Sequence, residues 1–373
     1  MRVLLLSFVL ALTCAGAGAQ QAPLIAARSW LLVDLTSGQV LAAEKAGERV
    51  APASLTKLMA AYVVFGALRE GKLAPTAPVE VSERAWRAVG SRMFVQPGKP
   101  VVADELIHGM VVQSGNDATI ALAEAVAGSE AAFAERMNRA AARLGMISSN
   151  FVNATGLPGA QHYSTARDLQ LLAAALIREF PHEYARYYAV REYRYNNITQ
   201  LNRNRLLWLD ASVDGVKTGF AESAGYCLVA SAQRGGRRLL SVVLGAASES
   251  SRAQESQKLL NWGYQHFDGV RLFAGGEAVK SIAVWKGAAA GVDAGFAEGL
   301  VVTVPKGQAA RLSAELLTHP PVVAPVARGQ RVGVLRVQLE GKPVGEYPVV
   351  ALEGVAVAGI FGRAWDTLRL LFQ

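Results

Sequence analysis

The chain has 373 residues, of which 51% are hydrophobic and 18% are charged, and its formal net charge is +8. These values are ample for a globular core and for two domains. The basic residues form no run and accompany no nucleic-acid motif. The charge therefore indicates an ordinary basic surface or attraction to an anionic envelope or polymer, and we expect no nucleic-acid partner.

The first residues have the pattern of a secretory signal peptide. Arg2 supplies the positive end, residues 3–12 form a short apolar run, and the tripeptide AGA at 17–19 is an A-x-A cleavage site. The run is too short to span a bilayer comfortably. We therefore expect residues 1–19 to direct export and to be removed.

Cysteine and histidine usage gives no sign of redox or metal chemistry. Once the signal is removed, Cys227 is the only cysteine, and its apolar neighbours predict a buried strand and an inert thiol. None of the five histidines falls in an H-x-x-x-H or H-E-x-x-H pattern. We expect no metal site and no cofactor.

The mature chain begins with a predicted β-hairpin, and an Ala- and Leu-rich helical region follows it. The hairpin strands are expected at 29–34 and 39–43. Helical periodicity then covers 54–68, 104–112, 118–127, 131–144 and 166–177, with Ser164 as the expected N-cap of the last helix.

Sheet character returns after Val213. Apolar runs at 225–232 and 238–245 are joined by RGGR at 234–237, which predicts a second hairpin, and a helix at 252–266 closes the domain. Strands, helices, strands and a final helix indicate an α+β class, with an antiparallel sheet and a separate helical part. We place this catalytic domain at residues 20–268.

Two shorter regions complete the chain. Residues 269–353 alternate β-rich runs with Gly and Pro turns, which predicts a small all-β domain with strands at 281–285, 299–304, 309–316 and 330–339. Residues 354–373 have an amphipathic helical pattern, with aromatic and aliphatic residues on one face and charged residues on the other. Such a helix fits either a membrane interface or the protein surface.

Three short motifs in the first domain point to one chemistry. They are SLTK at 54–57, SGN at 114–116 and KTG at 217–219. Each alone is a weak signal, since a helix N-cap or a turn would match it. Together and in this order they are the signature of serine acyl transfer.

Each motif contributes groups that this reaction requires. Lys57 lies one helical turn after Ser54, so its amine can reach the hydroxyl and act as general base if burial and a second cation, such as Lys217, lower its pKa. Ser114 can pass a proton to a leaving nitrogen, and Asn116 can bind a substrate amide. The last motif can bind a carboxylate through Lys217 and Thr218.

The chain resembles the serine-type D-alanyl-D-alanine carboxypeptidases, the low-molecular-mass penicillin-binding proteins of peptidase family S11. Beyond the three motifs, the resemblance includes GSRMF at 90–94, NATGLP at 153–158, HYSTA at 162–166, NRN at 202–204 and LLW at 206–208. It runs from about residue 22 to residue 266. The resemblance implies a penicillin-binding, β-lactamase-like transpeptidase fold followed by the β domain.

The resemblance also implies roles for single residues. Ser54 would be the acylated nucleophile, Lys57 its base and Ser114 the proton relay. The substrate-binding residues would be Asn116, Lys217, Thr218, Gly219, Phe220, Arg203 and Arg252, and backbone N–H groups of Ser54 and Phe220 would form the oxyanion hole. The partners would be the peptidoglycan stem peptide and β-lactam antibiotics. The terminal helix would hold the protein at the periplasmic face of the inner membrane.

One position departs from the family pattern. Phe220 follows K-T-G, where many of these carboxypeptidases have histidine and some relatives that cut cross-links have phenylalanine. Carboxypeptidase activity remains the leading hypothesis, and D,D-endopeptidase activity or a poorly active penicillin-binding scaffold is the alternative. A class A β-lactamase is disfavoured because no E-x-x-L-N string is present.

Overall fold

The computed structural model describes residues 21–318, 321–360, 363, 365 and 366, and it forms an α+β unit followed by an all-β unit. The predicted fold class is therefore confirmed. The strands of the first unit are β1 (Ser29–Asp34), β2 (Gln39–Glu44), β3 (Pro78–Val79), β4 (Val101–Val102), β5 (Glu192–Tyr195), β6 (Ile198–Leu201), β7 (Val213–Ala221), β8 (Gly225–Arg234) and β9 (Arg237–Ala246). Its helices are α1 (Thr56–Arg69), α2 (Glu83–Trp86), α3 (Ala103–Val111), α4 (Asn116–Ala127), α5 (Glu130–Arg143), α6 (Ala166–Glu179), α7 (Pro181–Tyr187), α8 (Leu206–Leu209) and α9 (Glu249–His266).

The central sheet separates two hydrophobic cores. Its strand order is β2-β1-β9-β8-β7, and all neighbours are antiparallel. Successive side chains of a strand point to opposite faces. Leu31 and Val33 accordingly join the core formed with α1 and α3 to α6, whereas Trp30 and Leu32 pack with α9. This order leaves β7 at an edge of the sheet, with one side free of strand partners.

The second unit is built from short strands around a valine-rich core. The strands are β10 (Phe267–Phe273), β11 (Ala278–Trp285), β12 (Gly291–Gly295), β13 (Leu300–Pro305), β14 (Leu312–Thr318), β15 (Val322–Val323), β16 (Arg331–Leu339) and β17 (Lys342–Ala351). Six of them form a sheet in the order β14-β16-β17-β12-β11-β15, and β10 pairs with β13.

A buried carboxylate joins the two units. Asp34 at the end of β1 is fully buried, and its Oδ2 accepts hydrogen bonds from Arg237 Nε at 2.6 Å and from Thr303 Oγ1 at 2.8 Å. Thr303 Oγ1 also lies 2.7 Å from the hydroxyl of Ser37. Arg237 donates a further bond to the carbonyl of Phe267. Hydrogen bonds to charged groups are the stronger kind, so this cluster fixes β13 against the first hairpin.

The predicted long elements of the first unit are present, each with ends within about three residues of the expected positions. The prediction for Ser164 was wrong, because the N-cap of α6 is Thr165, whose hydroxyl accepts the N–H of Asp168 at 3.1 Å. Ser164 instead pairs with Val50 in a β-bridge. The short helices α2, α7 and α8 and the strand pairs β3–β4 and β5–β6 were not predicted, since elements of two to seven residues carry little periodicity.

Several boundaries after residue 266 also need correction. β10 already begins at Phe267, two residues before the predicted start of the all-β domain, and residues 309–311 form a 3-10 turn ahead of β14. Val355 and Val357 make β-bridges with Val326 and Gly287, so extended structure continues past residue 353. The first helical residue is Ile360 and not residue 354.

Two predictions fall wholly or in part outside the described residues. The signal peptide at 1–19 lies wholly outside them, and the terminal helix predicted at 354–373 lies outside them at 361–362, 364 and 367–373. Among the helices that the structure does describe, none has the length and hydropathy needed to cross a bilayer.

Candidate active site

Ser54 lies on a single 3-10 turn, Ala53–Leu55, directly ahead of α1. Lys57 follows on the first turn of the helix and is 2% exposed. The helical spacing brings Lys57 Nζ to 3.3 Å from Ser54 Oγ. The first motif therefore places a buried amine beside a solvent-accessible hydroxyl, as its spacing predicted.

Two other contacts fix the direction of this amine. Lys57 Nζ donates to Asn116 Oδ1 at 2.7 Å and to the carbonyl oxygen of Thr155 at 2.6 Å. A neutral amine has two hydrogens and one lone pair. Because the two acceptors take both hydrogens, the lone pair is left to face the Ser54 hydroxyl, which is the arrangement that a general base requires.

The surroundings also favour the neutral amine. The pKa of Lys57 is lowered to about 7, mainly by burial and in part by the cation of Arg203, while the carboxylates of Asp117 and Glu130 oppose the change. Arg203 is thus a cation near Lys57 that the sequence interpretation did not name in this role. The expectation that Lys217 is another agrees with the coupling of the two amines, because the charge of Lys57 in turn lowers the pKa of Lys217 and repulsion between two cations is mutual.

Lys217 lies buried in β7 and links the third motif to the second. Its Nζ donates to Ser114 Oγ at 3.0 Å and to the carbonyl of Thr218 at 3.1 Å. Burial lowers the pKa of Lys217 well below its usual value, and the cations of Lys57, Arg203 and Arg252 add to the effect. An anionic substrate group would relieve this accumulation of positive charge.

The second motif is a tight loop between α3 and α4, as predicted. Ser114 has a φ of +61°, a left-handed conformation that is uncommon for residues other than glycine, and this directs its hydroxyl toward Lys217. Asn116 is the first residue of α4. Its backbone N–H donates to the carbonyl of Ser91 and its Nδ2 to that of Val89, at 2.7 and 2.6 Å.

Asp117 is a supporting residue to which the sequence interpretation gave no role. Its fully buried carboxylate accepts the backbone N–H groups of Met93, Phe94 and Val95 at 2.8 to 3.2 Å. These bonds hold the 90–95 loop against the second motif. An acidic residue in the first turn of a helix, beside an otherwise apolar run, was the available signal.

Two glycines allow backbone segments to approach the nucleophile closely. A Cβ on Gly156, whose φ is +87°, would lie 1.8 Å from the carbonyl oxygen of Ala53. A Cβ on Gly219 would lie 3.1 Å from the carbonyl oxygen of Pro52. The free edge of β7 therefore runs beside the turn that carries Ser54, with the K-T-G motif inside the strand.

The predicted residues border one cleft of about 570 Å³. Those that line it are Ser54, Ser114, Asn116, Arg203, Thr218, Gly219, Phe220 and Arg252. The other two, Lys57 and Lys217, lie beneath it and contact Ser54 and Ser114. The structure thus brings all ten predicted site residues together.

The aromatic and arginine residues have distinct positions in this cleft. Phe220 is 51% exposed and its ring packs on Tyr226, with centroids 4.4 Å apart. Arg252 is buried, donates to the carbonyl of Gly219 at 3.2 Å and pairs with Glu249 at 2.8 Å. Arg252 therefore supports β7 directly, whereas the side chain of Arg203 is exposed.

Further groups near the nucleophile serve the scaffold. His162 Nε2 lies 2.8 Å from Thr56 Oγ1, Nδ1 accepts the N–H of Val152, and burial lowers the pKa of His162 to about 4, so the ring is neutral. Cys227 is buried in β8 and burial raises its pKa to about 11, as expected for an inert thiol. Within the described residues, no three His, Cys, Asp or Glu side chains form a group that could hold a metal ion.

A serine hydroxyl beside a buried lysine whose pKa is lowered to about 7, at the edge of an antiparallel sheet, defines a serine acyl-transfer enzyme. Residues 17–248 match the family described as D-alanyl-D-alanine carboxypeptidase, and residues 267–357 match the C-terminal domain of penicillin-binding protein 5. The chain belongs to the D-alanyl-D-alanine carboxypeptidase family, peptidase S11.

Similarity to individual relatives extends over almost the whole chain. The chain is 44% identical to D-alanyl-D-alanine carboxypeptidase DacC of Escherichia coli, covering 95% of this chain and 90% of the relative. It is 40% identical to DacA of the same organism, over 94% and 89%. Penicillin-binding protein 5 from Haemophilus influenzae superimposes with a TM-score of 0.86 at 37% identity, covering 90% of this chain and 99% of the other.

Proposed function

We propose that this protein is a periplasmic D,D-carboxypeptidase that removes the terminal D-alanine from peptidoglycan pentapeptide stems through an acyl-enzyme at Ser54. The observation that carries the proposal is the set of contacts that Lys57 Nζ makes with Asn116 Oδ1, the Thr155 carbonyl and Ser54 Oγ. In the neutral amine the first two acceptors take both hydrogens, so that the lone pair faces the Ser54 hydroxyl. We place this activity in the catalytic domain predicted at residues 20–268, whose end lies close to the end of α9 at His266.

Acylation follows from this arrangement. Lys57 takes the Ser54 proton while Oγ attacks the carbonyl carbon of the penultimate D-alanine. The oxyanion of the tetrahedral intermediate is bound by the backbone N–H groups of Ser54 and Phe220. Ser114 passes a proton to the leaving nitrogen, D-alanine departs, and water then hydrolyses the ester with Lys57 again as base.

The cationic side of the cleft accounts for the preference for a chain end. Lys217, Thr218 and Arg203 bind the terminal carboxylate, and Arg252 holds the strand that presents them. Binding an anion stabilises the charged form of Lys217 and so offsets part of the burial that lowers its pKa. Asn116 aligns the substrate amide at the head of α4.

β-Lactams are expected to acylate the same serine, because their carboxylate and strained amide mimic the two ends of this substrate. A solved structure titled penicillin-binding protein D2 from Listeria monocytogenes in the ampicillin-bound form is similar over 64% of this chain, with a TM-score of 0.60 and 30% identity. Slow release of the penicilloyl group is expected.

The decisive experiment measures D-alanine release from a pentapeptide ending in D-Ala-D-Ala, with the mature protein and Ser54→Ala side by side. Release by the wild type that vanishes in the variant supports the proposal. A wild type that is labelled by penicillin but releases no D-alanine contradicts it and favours an endopeptidase or a binding scaffold. Phe220 lines the cleft and is exposed, and some relatives that cut cross-links have phenylalanine at this position. A cross-linked dimer of stem peptides is therefore the second substrate to test.

We also propose that the C-terminal segment anchors the exported protein to the membrane surface. Asp366 accepts the backbone N–H of Lys286 at 2.6 Å, so a polar residue of this segment faces the all-β unit. Trp365 and Ile360 are 64% and 74% exposed. An exposed aromatic side chain beside a docked polar one fits an interfacial helix.

Vesicle sedimentation tests the anchor. The mature protein should sediment with vesicles that contain anionic lipid, and a variant ending at residue 359 should stay in the supernatant while retaining penicillin labelling. Equal sedimentation of the two proteins would contradict the proposal.

A further inference from the structure

The cleft has a charge distribution that the proposed reaction does not use. Among the described residues that line it, Arg203 and Arg252 are cationic, and Glu222 is the only acidic residue. Glu222 directly follows the last residue of β7 and is exposed. In the part of the chain that the structure describes, no hydrogen bond or ion pair engages its carboxylate. This carboxylate is therefore available to a ligand.

Glu222 lines the same cleft as the carboxylate-binding position, farther along the chain. Thr218 and Phe220 are alternate residues of β7, so their side chains point to the same face of the strand. Glu222 is the first residue of the turn that follows β7, and all three residues line the cleft. At about 3.4 Å per residue, four residues span at most about 14 Å, so Glu222 lies within about 14 Å of Thr218.

The direction of the bound peptide follows from two anchors. If the terminal carboxylate lies at Thr218 and Arg203 and the scissile carbonyl lies at Ser54 and Phe220, the upstream residues must continue along β7 toward Glu222. In an extended peptide, the Cα of the residue before D-Ala-D-Ala lies about 7 Å from that of the terminal residue. A side chain of lysine length then carries its ammonium group to the region of Glu222.

We propose that Glu222 is a specificity-determining residue that binds a cationic side chain on the residue preceding D-Ala-D-Ala. This inference rests on the proposed function, because it takes the peptide orientation from it. The substrate class is a stem peptide whose third residue is a diamino acid with a free ammonium group. Arg203 and Arg252 would repel the ammonium group, which disfavours a peptide that places this group beside them instead of beside Glu222.

The test compares two synthetic peptides. They are Nα-acetyl-L-lysyl-D-Ala-D-Ala, which keeps its ε-ammonium group, and Nα,Nε-diacetyl-L-lysyl-D-Ala-D-Ala, which does not. For the wild type, kcat/KM should be about two- to fivefold higher for the free amine, the size expected of an exposed ion pair, and the ratio should shrink at high salt.

Variants then assign the preference to one carboxylate. In Glu222→Gln the ratio should approach one, and in Glu222→Lys it should fall below one. Glu315→Gln, an equal charge change at an exposed site of β14 in the second unit, should keep the wild-type ratio. Penicillin labelling of each variant confirms an intact site.

A wild-type ratio of one, or a ratio that Glu222→Gln leaves unchanged, overturns the inference while the proposed function stands. Absence of D-alanine release from both peptides contradicts the proposed function itself, and the inference falls with it. The two failures are therefore distinguishable in one set of assays.

Discussion

Asn116 Oδ1 lies 2.7 Å from Lys57 Nζ, although 59 residues separate the two along the chain. Together with the carbonyl of Thr155, this oxygen takes the hydrogens of the neutral amine and directs its lone pair toward Ser54. The amide thus has a positioning role toward the base in addition to any contact with substrate.

The pH dependence of acylation should report the protonation of Lys57. Only the neutral amine can accept the serine proton, and its pKa is lowered to about 7. The second-order rate of acylation by a β-lactam should therefore rise about tenfold per pH unit below pH 7 and level off above it. Stopped-flow or quenched labelling between pH 5 and 9 measures this. A rate that still rises at pH 9 would indicate an ordinary lysine.

Asn116→Asp should move the acidic limb of the pH–rate profile, the part in which the acylation rate rises with pH, to higher pH. A carboxylate in contact with Lys57 stabilises the ammonium form, and an opposite charge at this distance shifts a pKa by about 1 to 3. The acidic limb of the pH–rate profile should move by about 1 to 3 pH units, and the rate at pH 7 should fall at least about fivefold, since a pKa raised from about 7 to about 8 leaves about a tenth of the amine neutral.

Asn116→Ala is the matched control for this substitution, because it removes the contacts to Lys57 and Val89 without adding charge. Asn116→Ala should slow acylation without moving the acidic limb of the pH–rate profile to higher pH. If Asn116→Asp left the limb near pH 7, the electrostatic coupling of these two residues would be disproved.

Gly156→Ala should disable the nucleophile by steric displacement. The added Cβ would meet the carbonyl oxygen of Ala53 at 1.8 Å, which must move the turn that carries Ser54. We expect a loss of penicillin labelling of more than about tenfold and a lower melting temperature, since a displaced backbone and a non-glycine residue at positive φ cost about 1–3 kcal/mol.

The control for Gly156→Ala is Gly128→Ala, at the C-cap of α4. Gly128 also has a positive φ, +79°, but no atom lies within 4 Å of its added Cβ. This variant should lose stability through the backbone conformation alone and should keep its labelling rate. Equal labelling losses in both variants would show that steric contact at Gly156 is not the cause.

Thr303→Val should loosen the contact between the two units without touching the active site. Valine has the shape of threonine but cannot donate to the buried carboxylate of Asp34. A lost hydrogen bond to a charged group costs about 1.5–3 kcal/mol, so thermal unfolding and proteolysis near Phe267 should both become easier.

Penicillin labelling at 25 °C should be unchanged in Thr303→Val, because the cluster around Asp34 lies outside the cleft. Thr199→Val, on the exposed strand β6, is the control and should alter stability by no more than about 0.5 kcal/mol. An unaltered melting temperature in Thr303→Val would show that this cluster does not hold the units together.

The sequence by itself determined the chemistry of this protein. Ser54 and Lys57 could be paired because helical spacing brings residues three apart to the same side, whatever the rest of the chain does. The order of the three motifs indicated acyl transfer. The alternating pattern of the β1–β2 and β8–β9 hairpins likewise indicated the sheet, because it depends on local turns and on a two-residue period.

Only the tertiary structure decided which groups meet. The contacts of Lys57 with Asn116 and with the Thr155 carbonyl join segments 59 and 98 residues away, and a backbone carbonyl has no sequence signature. The same holds for Arg203, a cation that acts on Lys57, and for Glu222, which lines the cleft from the turn that follows β7. Such distances depend on how the sheet and helices pack, which local propensity does not encode.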